Sequence, residues 1–282
     1  MKLGLVVEGG ASRVYFSTGV MDFLLQKEIY ADYVIGASAG IANAVSYISR
    51  QFGRNIQIGE NYLHDKRYMG LRHLMNPKKR SYYNVDFVFG EIDQLVPFDY
   101  DAYNNSGCDA VAVVTNIETG KAEYIDISKH DGNWAPLIAS CSLPLLFQPV
   151  KICDHLYLDG GVADPIPVDK AIESGCDKII VITTRERSFK KHKESGVGLS
   201  SFIYRKYPDF VSLLEKRVDI YNKAHENVLK LEEEGKIFLI TPDDTTGWRR
   251  TESDPHKIRE MHNTGYNTAE KNYNKLMKYL SE

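Results

Sequence analysis

A strand pattern that runs directly into Gly-x-Ser-x-Gly, and then into a helix of small residues, constrains this chain more than any other feature. The strand pattern begins at Tyr33 and is followed by Gly36, Ala37, Ser38, Ala39 and Gly40. A serine on a sharp strand-to-helix turn holds its hydroxyl clear of the backbone, beside a helix N-terminus. Glycines two residues away on each side leave room for the tight turn and for a neighbouring chain. We therefore predict that Ser38 is a nucleophile and that its four neighbours form the nucleophile elbow.

Short apolar runs alternate with helical patterns along the rest of the chain. Residues 3–7 are continuously apolar and end at a Gly-Gly turn, which is typical of a strand buried on both faces. Further strands are predicted at 33–36, 109–115, 123–127, 156–158, 178–184 and 236–240, and helices near 14–24, 39–49, 134–140, 167–174, 209–234 and 255–280. Strands separated by helices favour right-handed βαβ units. The predicted fold class is α/β, with three layers, α/β/α, around a mainly parallel central sheet.

A basic, glycine- and serine-containing segment with little apolar periodicity, residues 187–201, is the best candidate for a domain boundary. We predict a catalytic domain over residues 1–185 and a mostly helical C-terminal extension over residues 186–282. The strand predicted at 236–240 could add to the main sheet, so the sequence does not define this domain boundary sharply.

Composition excludes several classes of protein. The chain has 282 residues, of which 43% are apolar and 26% charged, as in ordinary globular proteins. A net charge of −3 gives no general reason to expect a nucleic-acid partner. The four cysteines are scattered without metal-ligand spacing, and no apolar stretch is long enough for a secretory signal or a bilayer span. We expect a cytoplasmic protein that needs no metal and no cofactor.

A second turn, between the first strand and its helix, is suited to receive negative charge. It consists of Gly9, Gly10, Ala11, Ser12 and Arg13. Successive backbone N–H groups at a helix N-terminus form a concave donor surface for an anion. In an acyl-transfer enzyme that surface is an oxyanion hole, and in a dinucleotide-binding protein it holds a pyrophosphate. The dinucleotide pattern fails at Ala11 and Val14, whereas a plain Gly-Gly turn stays an alternative.

A serine hydroxyl needs a proton acceptor, and Asp159 is the best candidate. It ends the strand predicted at 156–158 and is followed by Gly160 and Gly161, so its carboxylate lies at a strand terminus on a tight turn. Ligand sites of parallel α/β sheets lie at such carboxyl ends, where Ser38 and the Gly-Gly turn also lie. None of the eight histidines has a comparable context; His155 is nearest to a strand end.

Together these motifs resemble those of the patatin-like phospholipase family, bacterial branch. The resemblance covers about residues 3–185 and includes the segment from Ala139 to Pro144, which is similar to the family's site-lining segment. It implies a patatin-like fold and a Ser38–Asp159 dyad, with the turn at residues 9–13 as the oxyanion hole.

The chain departs from the family pattern at Ala11 and Val14, where the family has glycine. A β-branched residue at positive φ is an outlier. Either the turn needs no left-handed residue at 14, or the oxyanion hole is distorted.

The predicted function is that of a serine lipid acyl hydrolase of the phospholipase A, lysophospholipase or carboxylesterase type, acting through an acyl-serine on an acyl lipid or ester substrate. Two alternatives stay open: a lipid-binding or interaction protein that is weakly active or inactive, and an acyltransferase. The acyltransferase is disfavoured because Ala37 stands where such enzymes usually have histidine.

Two basic segments predict contact with an anionic membrane surface, with solvated loops as the alternative. The first lies between His64 and Arg80 and interleaves cations with apolar and aromatic residues. Its cations are Lys66, Arg67, Arg72, Lys78, Lys79 and Arg80, and those of the second segment are Arg185, Arg187, Lys190, Lys191 and Lys193. The oligomeric state is not predicted.

Overall fold

The protein is built around one eight-stranded mixed sheet. The computed structural model describes residues 1–76, 80–130, 132–193 and 196–282. The strands are Leu3–Val7 (β1), Tyr33–Ala37 (β2), Asp109–Asn116 (β3), Lys121–Asp126 (β4), Val150–Ile152 (β5), His155–Asp159 (β6), Lys178–Ile182 (β7) and Phe238–Ile240 (β8). Their order is β5-β6-β3-β2-β1-β7-β8, with β4 paired to the other edge of β3. The strands β3, β2, β1, β7 and β8 are mutually parallel, and β4, β5 and β6 join through antiparallel pairs.

Helices cover both faces of this sheet. They are Tyr15–Gln26 (α1), Ala39–Ile48 (α2), Arg54–Tyr62 (α3), Leu71–Leu74 (α4), Ile92–Leu95 (α5), Tyr100–Asn104 (α6), Ala135–Ser140 (α7), Val168–Glu173 (α8), Val197–Ile203 (α9), Pro208–Glu215 (α10), Arg217–Glu233 (α11), Pro255–Lys271 (α12) and Tyr273–Ser281 (α13). Short 3-10 turns follow β1 at Ala11–Val14 and β6 at Gly160–Val162. A π-helical stretch spans Phe87–Glu91.

Alternate residues of the central strands enter two different hydrophobic cores. Leu5 and Val7 of β1 pack with α1, α2 and the C-terminal helices α12 and α13, whereas Val6 packs with α8 and α11. Successive side chains of a strand point to opposite faces, so a strand buried on both faces must be apolar throughout. The predicted α/β class with three layers and a mainly parallel core of strands is confirmed.

The first and twelfth helices are in direct backbone contact. A Cβ at Gly19 would overlap the carbonyl oxygen of His262, and a Cβ at Gly265 would overlap that of Phe16. Each helix therefore places a glycine against the other's backbone. At the same interface the His262 ring lies 2.8 Å from the buried carboxylate of Asp22. This contact ties the C-terminal part of the chain to the helix that follows β1.

Several element boundaries differ from the sequence predictions. The helix predicted over 209–234 is two helices that meet at Lys216, and the one over 255–280 is two that meet at Asn272. β5 and the helices between residues 54 and 104 were not predicted, because each is short and lacks a clear apolar period.

The predicted division into residues 1–185 and 186–282 stays a prediction. Glu194 and Ser195, within the predicted boundary segment, lie outside the described residues. The strand predicted at 236–240 is β8, which pairs in parallel with β7.

Candidate active site

Two strand ends meet head-on along one edge of β3. β4 occupies the other edge, so β2 and β6 share this one: β2 runs parallel to β3 and pairs as far as Val113, and β6 runs antiparallel and ends opposite Val114. The last residues of the two strands, Ala37 and Asp159, are therefore neighbours in register. This places Ser38, the residue after β2, beside the carboxylate that ends β6.

Ser38 has a strained backbone conformation, with φ of 54° and ψ of −137°. Positive φ is uncommon for a residue with a Cβ, and it holds the side chain away from both β2 and α2. The glycines at 36 and 40 let β1 pass close by, since a Cβ at either position would press on the carbonyl oxygen of Val7. The Ser38 amide donates to the Oγ atom of Ser140 at 2.9 Å, which fixes the turn against α7. The structure therefore shows a sharp strand-to-helix turn of the kind that the sequence predicts.

The Asp159 carboxylate is buried, with 1% of the residue exposed. Its Oδ2 atom accepts a hydrogen bond of 2.7 Å from the Ser38 hydroxyl, and its Oδ1 atom accepts one of 2.8 Å from the Gly161 amide. Burial raises the pKa of this carboxyl above its usual range, and the Ser38 hydrogen bond and the Arg217 charge oppose that rise. A carboxylate with a raised pKa is a better proton acceptor near neutral pH than an exposed one.

The turn predicted to form an oxyanion hole, residues 9–13, lies against Ser38. A Cβ at Gly9 would lie 2.8 Å from the Ser38 Cβ, so glycine is required there for close approach. Ala11 has a positive φ of 49°, whereas Val14 is ordinary right-handed helix with φ of −59°. The strain in this turn therefore falls on Ala11, and the structure shows no left-handed residue at 14.

Two amides of this turn already have carbonyl partners. The Ser12 amide donates to the Arg250 carbonyl at 3.1 Å, and the Arg13 amide donates to that of Gly10 at 3.2 Å. Within the described residues, the amides of Gly9, Gly10 and Ala11 have no backbone acceptor. The candidate donors for an oxyanion beside Ser38 are therefore these three.

Comparison with known proteins identifies the fold and the family. The family model for patatin-like phospholipase matches residues 5–172, which is more than half of the chain. This chain belongs to the patatin-like phospholipase family. A second model, Domain of unknown function (DUF6363), matches residues 207–281.

Curated relatives of this patatin-like protein are distant. The uncharacterized protein YjjU of Escherichia coli is 25% identical over 265 residues, covering 86% of this chain and 68% of the relative. Lysophospholipase NTE1 of Meyerozyma guilliermondii is 25% identical over 262 residues, covering 85% of this chain but only 17% of the relative. The crystal structure of VipD from Legionella pneumophila superposes with a TM-score of 0.48 at 13% identity, covering 96% of this chain and 66% of that one.

Two cavities of opposite character meet at Ser38. The larger, of about 390 Å³, is lined by Ser38, by Asp159, by the turn predicted as an oxyanion hole and by cationic side chains. The smaller, of about 90 Å³, is lined mainly by apolar and aromatic side chains, among them Tyr68, Tyr83 and Phe147. Leu143, in the predicted site-lining segment, borders both cavities. A polar and an apolar part of one ligand can therefore lie on the two sides of Ser38.

Sequence reasoning missed several residues that shape this site. Ser140 lies in the predicted site-lining segment but had no assigned partner, and Arg217, Tyr221 and Arg250 come from the C-terminal part of the chain. Isolated arginines and tyrosines in charged segments carry no signal of a site. His155, the histidine considered as a base, is exposed at the start of β6 and pairs with Glu118 at 2.6 Å.

Proposed function

We propose that this protein is a serine lipid acyl hydrolase in which Ser38 is the nucleophile and Asp159 the base. The observation that carries the proposal is the 2.7 Å hydrogen bond from the Ser38 hydroxyl to Asp159, at the junction of a polar and an apolar cavity. Membership of the patatin-like phospholipase family supports lipid hydrolysis in general terms, and distant lysophospholipase relatives agree with it.

The geometry suggests the following acylation step. Ser38 Oγ attacks the ester carbonyl while Asp159 Oδ2 takes the hydroxyl proton, and the candidate amides of the turn at residues 9–11 donate to the oxyanion. Loss of one such donor typically lowers kcat by about 100- to 1000-fold. The protonated Asp159 then gives its proton to the leaving alkoxide, so that an acyl-serine and a free alcohol remain.

Deacylation repeats these steps with water. Asp159 takes a proton from water as the water oxygen attacks the acyl-serine carbonyl. The tetrahedral intermediate collapses, Ser38 Oγ regains the proton from Asp159, and the fatty acid leaves. The same amides stabilise the second oxyanion, so no further group is needed to balance the step.

Steady-state hydrolysis of p-nitrophenyl butyrate and of an oleoyl lysophospholipid tests this function. We expect Ser38→Ala to lose turnover, and Asp159→Asn to lose nearly as much, because a neutral amide cannot take the proton. The matched control is Asp164→Asn, since Asp164 is another carboxyl whose pKa burial raises but which hydrogen-bonds Tyr124 instead. Full turnover by Asp159→Asn would refute Asp159 as the base.

The two alternative functions give different results in the same experiment. Mass spectrometry of the products shows free oleic acid for a hydrolase, and an acylated alcohol without free acid for an acyltransferase. A binding protein retains the lipid and releases neither product. Either of the last two results contradicts the proposed reaction.

We further propose that the protein works at an anionic membrane surface. Leu71 and Met75, within the first basic segment, are 74% and 82% exposed, and Phe202 of α9, close after the second, is 66% exposed. Lys78 and Lys79 of the first segment lie outside the described residues. In the part of the chain that the structure describes, no helix is both long and apolar enough for a bilayer span. The predicted cytoplasmic location stays a prediction.

Two hydrogen bonds connect segments near both exposed groups to residues that directly follow the predicted site-lining segment. The Tyr82 amide donates to the Leu146 carbonyl at 2.9 Å, and the Leu145 amide donates to the Tyr204 hydroxyl at 3.2 Å. The segment that carries Leu143 therefore connects the neighbourhoods of α4 and α9.

Sedimentation with vesicles tests this membrane contact. We expect binding to vesicles that contain phosphatidylglycerol, and weaker binding for the double variant Met75→Ser, Phe202→Ser. The control is Phe52→Ser, which removes a side chain that is 59% exposed after α2. Equal sedimentation of all three proteins would contradict a membrane contact through these residues.

A further inference from the structure

The larger cavity beside Ser38 concentrates positive charge. Its lining includes seven cationic side chains, from Arg13, Arg185, Lys190, Lys191, Lys193, Arg217 and Arg250. Its carboxylates among the described residues are Glu8 and Asp159, so cations predominate. A cleft lined by one sign of charge concentrates ligands of the opposite sign.

Glu8 makes its contacts with neutral donors. Its Oε1 atom accepts from the Tyr221 hydroxyl at 2.8 Å, and its Oε2 atom accepts from the Thr184 amide at 2.5 Å. Among the described residues, no carboxylate oxygen lies within 4.0 Å of a side-chain nitrogen of Arg13, Arg185 or Arg250. These three charges therefore have no direct counter-ion there.

Arg13 is the clearest sign that an anion belongs in this cavity. The residue is only 8% exposed, it lines the cavity, and its buried Nε atom has no hydrogen-bond partner among the described residues. Burial, together with the charges of Arg185 and Arg250, lowers the pKa of its guanidinium to about 10. A buried cation without a partner is costly, and a bound anion would offset that cost.

The C-terminal segment, residues 207–281, supplies two of these seven cations, Arg217 and Arg250. Arg217, Tyr221 and Arg250 all lie within the segment that matches a domain of unknown function. The same segment holds the oxyanion-hole turn, because the Arg250 carbonyl accepts from the Ser12 amide and the Glu252 carbonyl accepts from the Ser12 hydroxyl at 2.8 Å. A further contact is the 2.8 Å bond from the Arg185 guanidinium to the Thr245 hydroxyl. The active site is therefore shared between the two parts of the chain.

We propose that this cavity binds the phosphate group of an anionic lipid substrate while the acyl chain enters the apolar cavity on the other side of Ser38. The proposal rests on the proposed hydrolase function and names its substrate class. It also assigns a role to the C-terminal segment, which is to recognise the phosphate. Substrates whose phosphate carries uncompensated negative charge are preferred over zwitterionic and neutral ones.

The kinetic test compares three substrates with the same oleoyl chain: lysophosphatidic acid, lysophosphatidylcholine and monooleoylglycerol. We expect kcat/KM to fall in that order. In Arg250→Gln the ratio of kcat/KM for lysophosphatidic acid to that for monooleoylglycerol falls about tenfold, as expected for loss of one charge-assisted hydrogen bond. The matched control is Arg249→Gln, an exposed neighbour outside the cavity lining, which leaves the ratio unchanged.

A binding test separates this proposal from the proposed reaction. Calorimetry measures glycerol 3-phosphate and inorganic phosphate binding to the Ser38→Ala protein and to the same protein with Arg250→Gln or Arg185→Gln added. We expect glycerol 3-phosphate to bind, with affinity falling about tenfold in each double variant. If it binds in this way but the native protein hydrolyses no ester, the reaction fails and the anion site stands.

Two results overturn the proposal. One is glycerol 3-phosphate binding that is undetectable, or equal in all three proteins. The other is a substrate ratio that Arg250→Gln leaves unchanged while inorganic phosphate binds as tightly as glycerol 3-phosphate, because the cavity is then a site for free phosphate and not for a headgroup.

Discussion

The strained backbone of Ser38 predicts that glycine at this position makes the protein more stable than alanine does. Both substitutions remove the hydroxyl and its hydrogen bond to Asp159, so they differ only in the Cβ. With φ of 54° and ψ of −137°, a residue with a Cβ costs about 1–3 kcal/mol. Glycine avoids this cost. However, the unfolded chain has greater conformational freedom with glycine than with alanine, which lowers the free energy of unfolding by about 0.4–1 kcal/mol.

The difference between these two terms sets the expected magnitude. Ser38→Gly should have a free energy of unfolding about 1 kcal/mol larger than Ser38→Ala, or a melting temperature about 2 °C higher for a chain of this size. Urea unfolding followed by circular dichroism measures the difference, provided that the slopes of the two transitions agree.

The neighbouring position provides a control of opposite sign. Ala39 begins α2, so Ala39→Gly introduced into the Ser38→Ala protein should lower the free energy of unfolding by about 0.5–1 kcal/mol. If Ser38→Gly is instead equal to or less stable than Ser38→Ala, the turn is not strained and the account of the nucleophile elbow is wrong.

Three other predictions follow from burial and close packing. Because the folded-state pKa of Asp159 is raised, its ionisation destabilises the folded protein, so Asp159→Asn should be more stable than the native protein at pH 8. That advantage should disappear as the pH falls towards about 4, and urea midpoints that do not converge would contradict it. Gly265→Ala should lower the free energy of unfolding by about 3 kcal/mol, because the α1–α12 contact must open. Gly198→Ala, with open space around it, should change it by less than about 1 kcal/mol, and equal effects at both positions would refute the packing argument. Val88→Trp should fill the apolar cavity and raise KM for p-nitrophenyl palmitate but not for the acetate; parallel changes for both esters would count against an acyl-chain site.

The sequence alone was enough to predict the fold class and the positions of the two main motifs. Alternation of short apolar runs with helical patterns reports burial on both faces of a parallel sheet, and the structure confirms it. The turns around Ser38 and Asp159 can be predicted from the sequence because glycine occurs where another backbone comes close. The close approach of Gly40 to the Val7 carbonyl is an example.

The contact between the Ser38 turn and the Asp159 turn was harder to predict from the sequence. It depends on β6 pairing antiparallel along the part of the β3 edge that β2 leaves open, which is a long-range register and has no local signature. Of the two alternatives for Val14, the structure shows that the turn needs no left-handed residue there, and the positive φ at Ala11 instead has no signal in the sequence. Of the cations that line the larger cavity, Arg217 and Arg250 could not be predicted from the sequence, since they lie about 60 and 90 residues beyond Asp159 in charged segments that look solvated.

Rapid-quench mass spectrometry of the protein mixed with p-nitrophenyl butyrate tests the central claim most directly. We predict a butyryl group on the peptide that contains Ser38, formed within the first turnover and lost as the acid is released. We predict no such adduct in Ser38→Ala. A butyryl group on any other residue, or turnover by Ser38→Ala at the native rate, would contradict this claim.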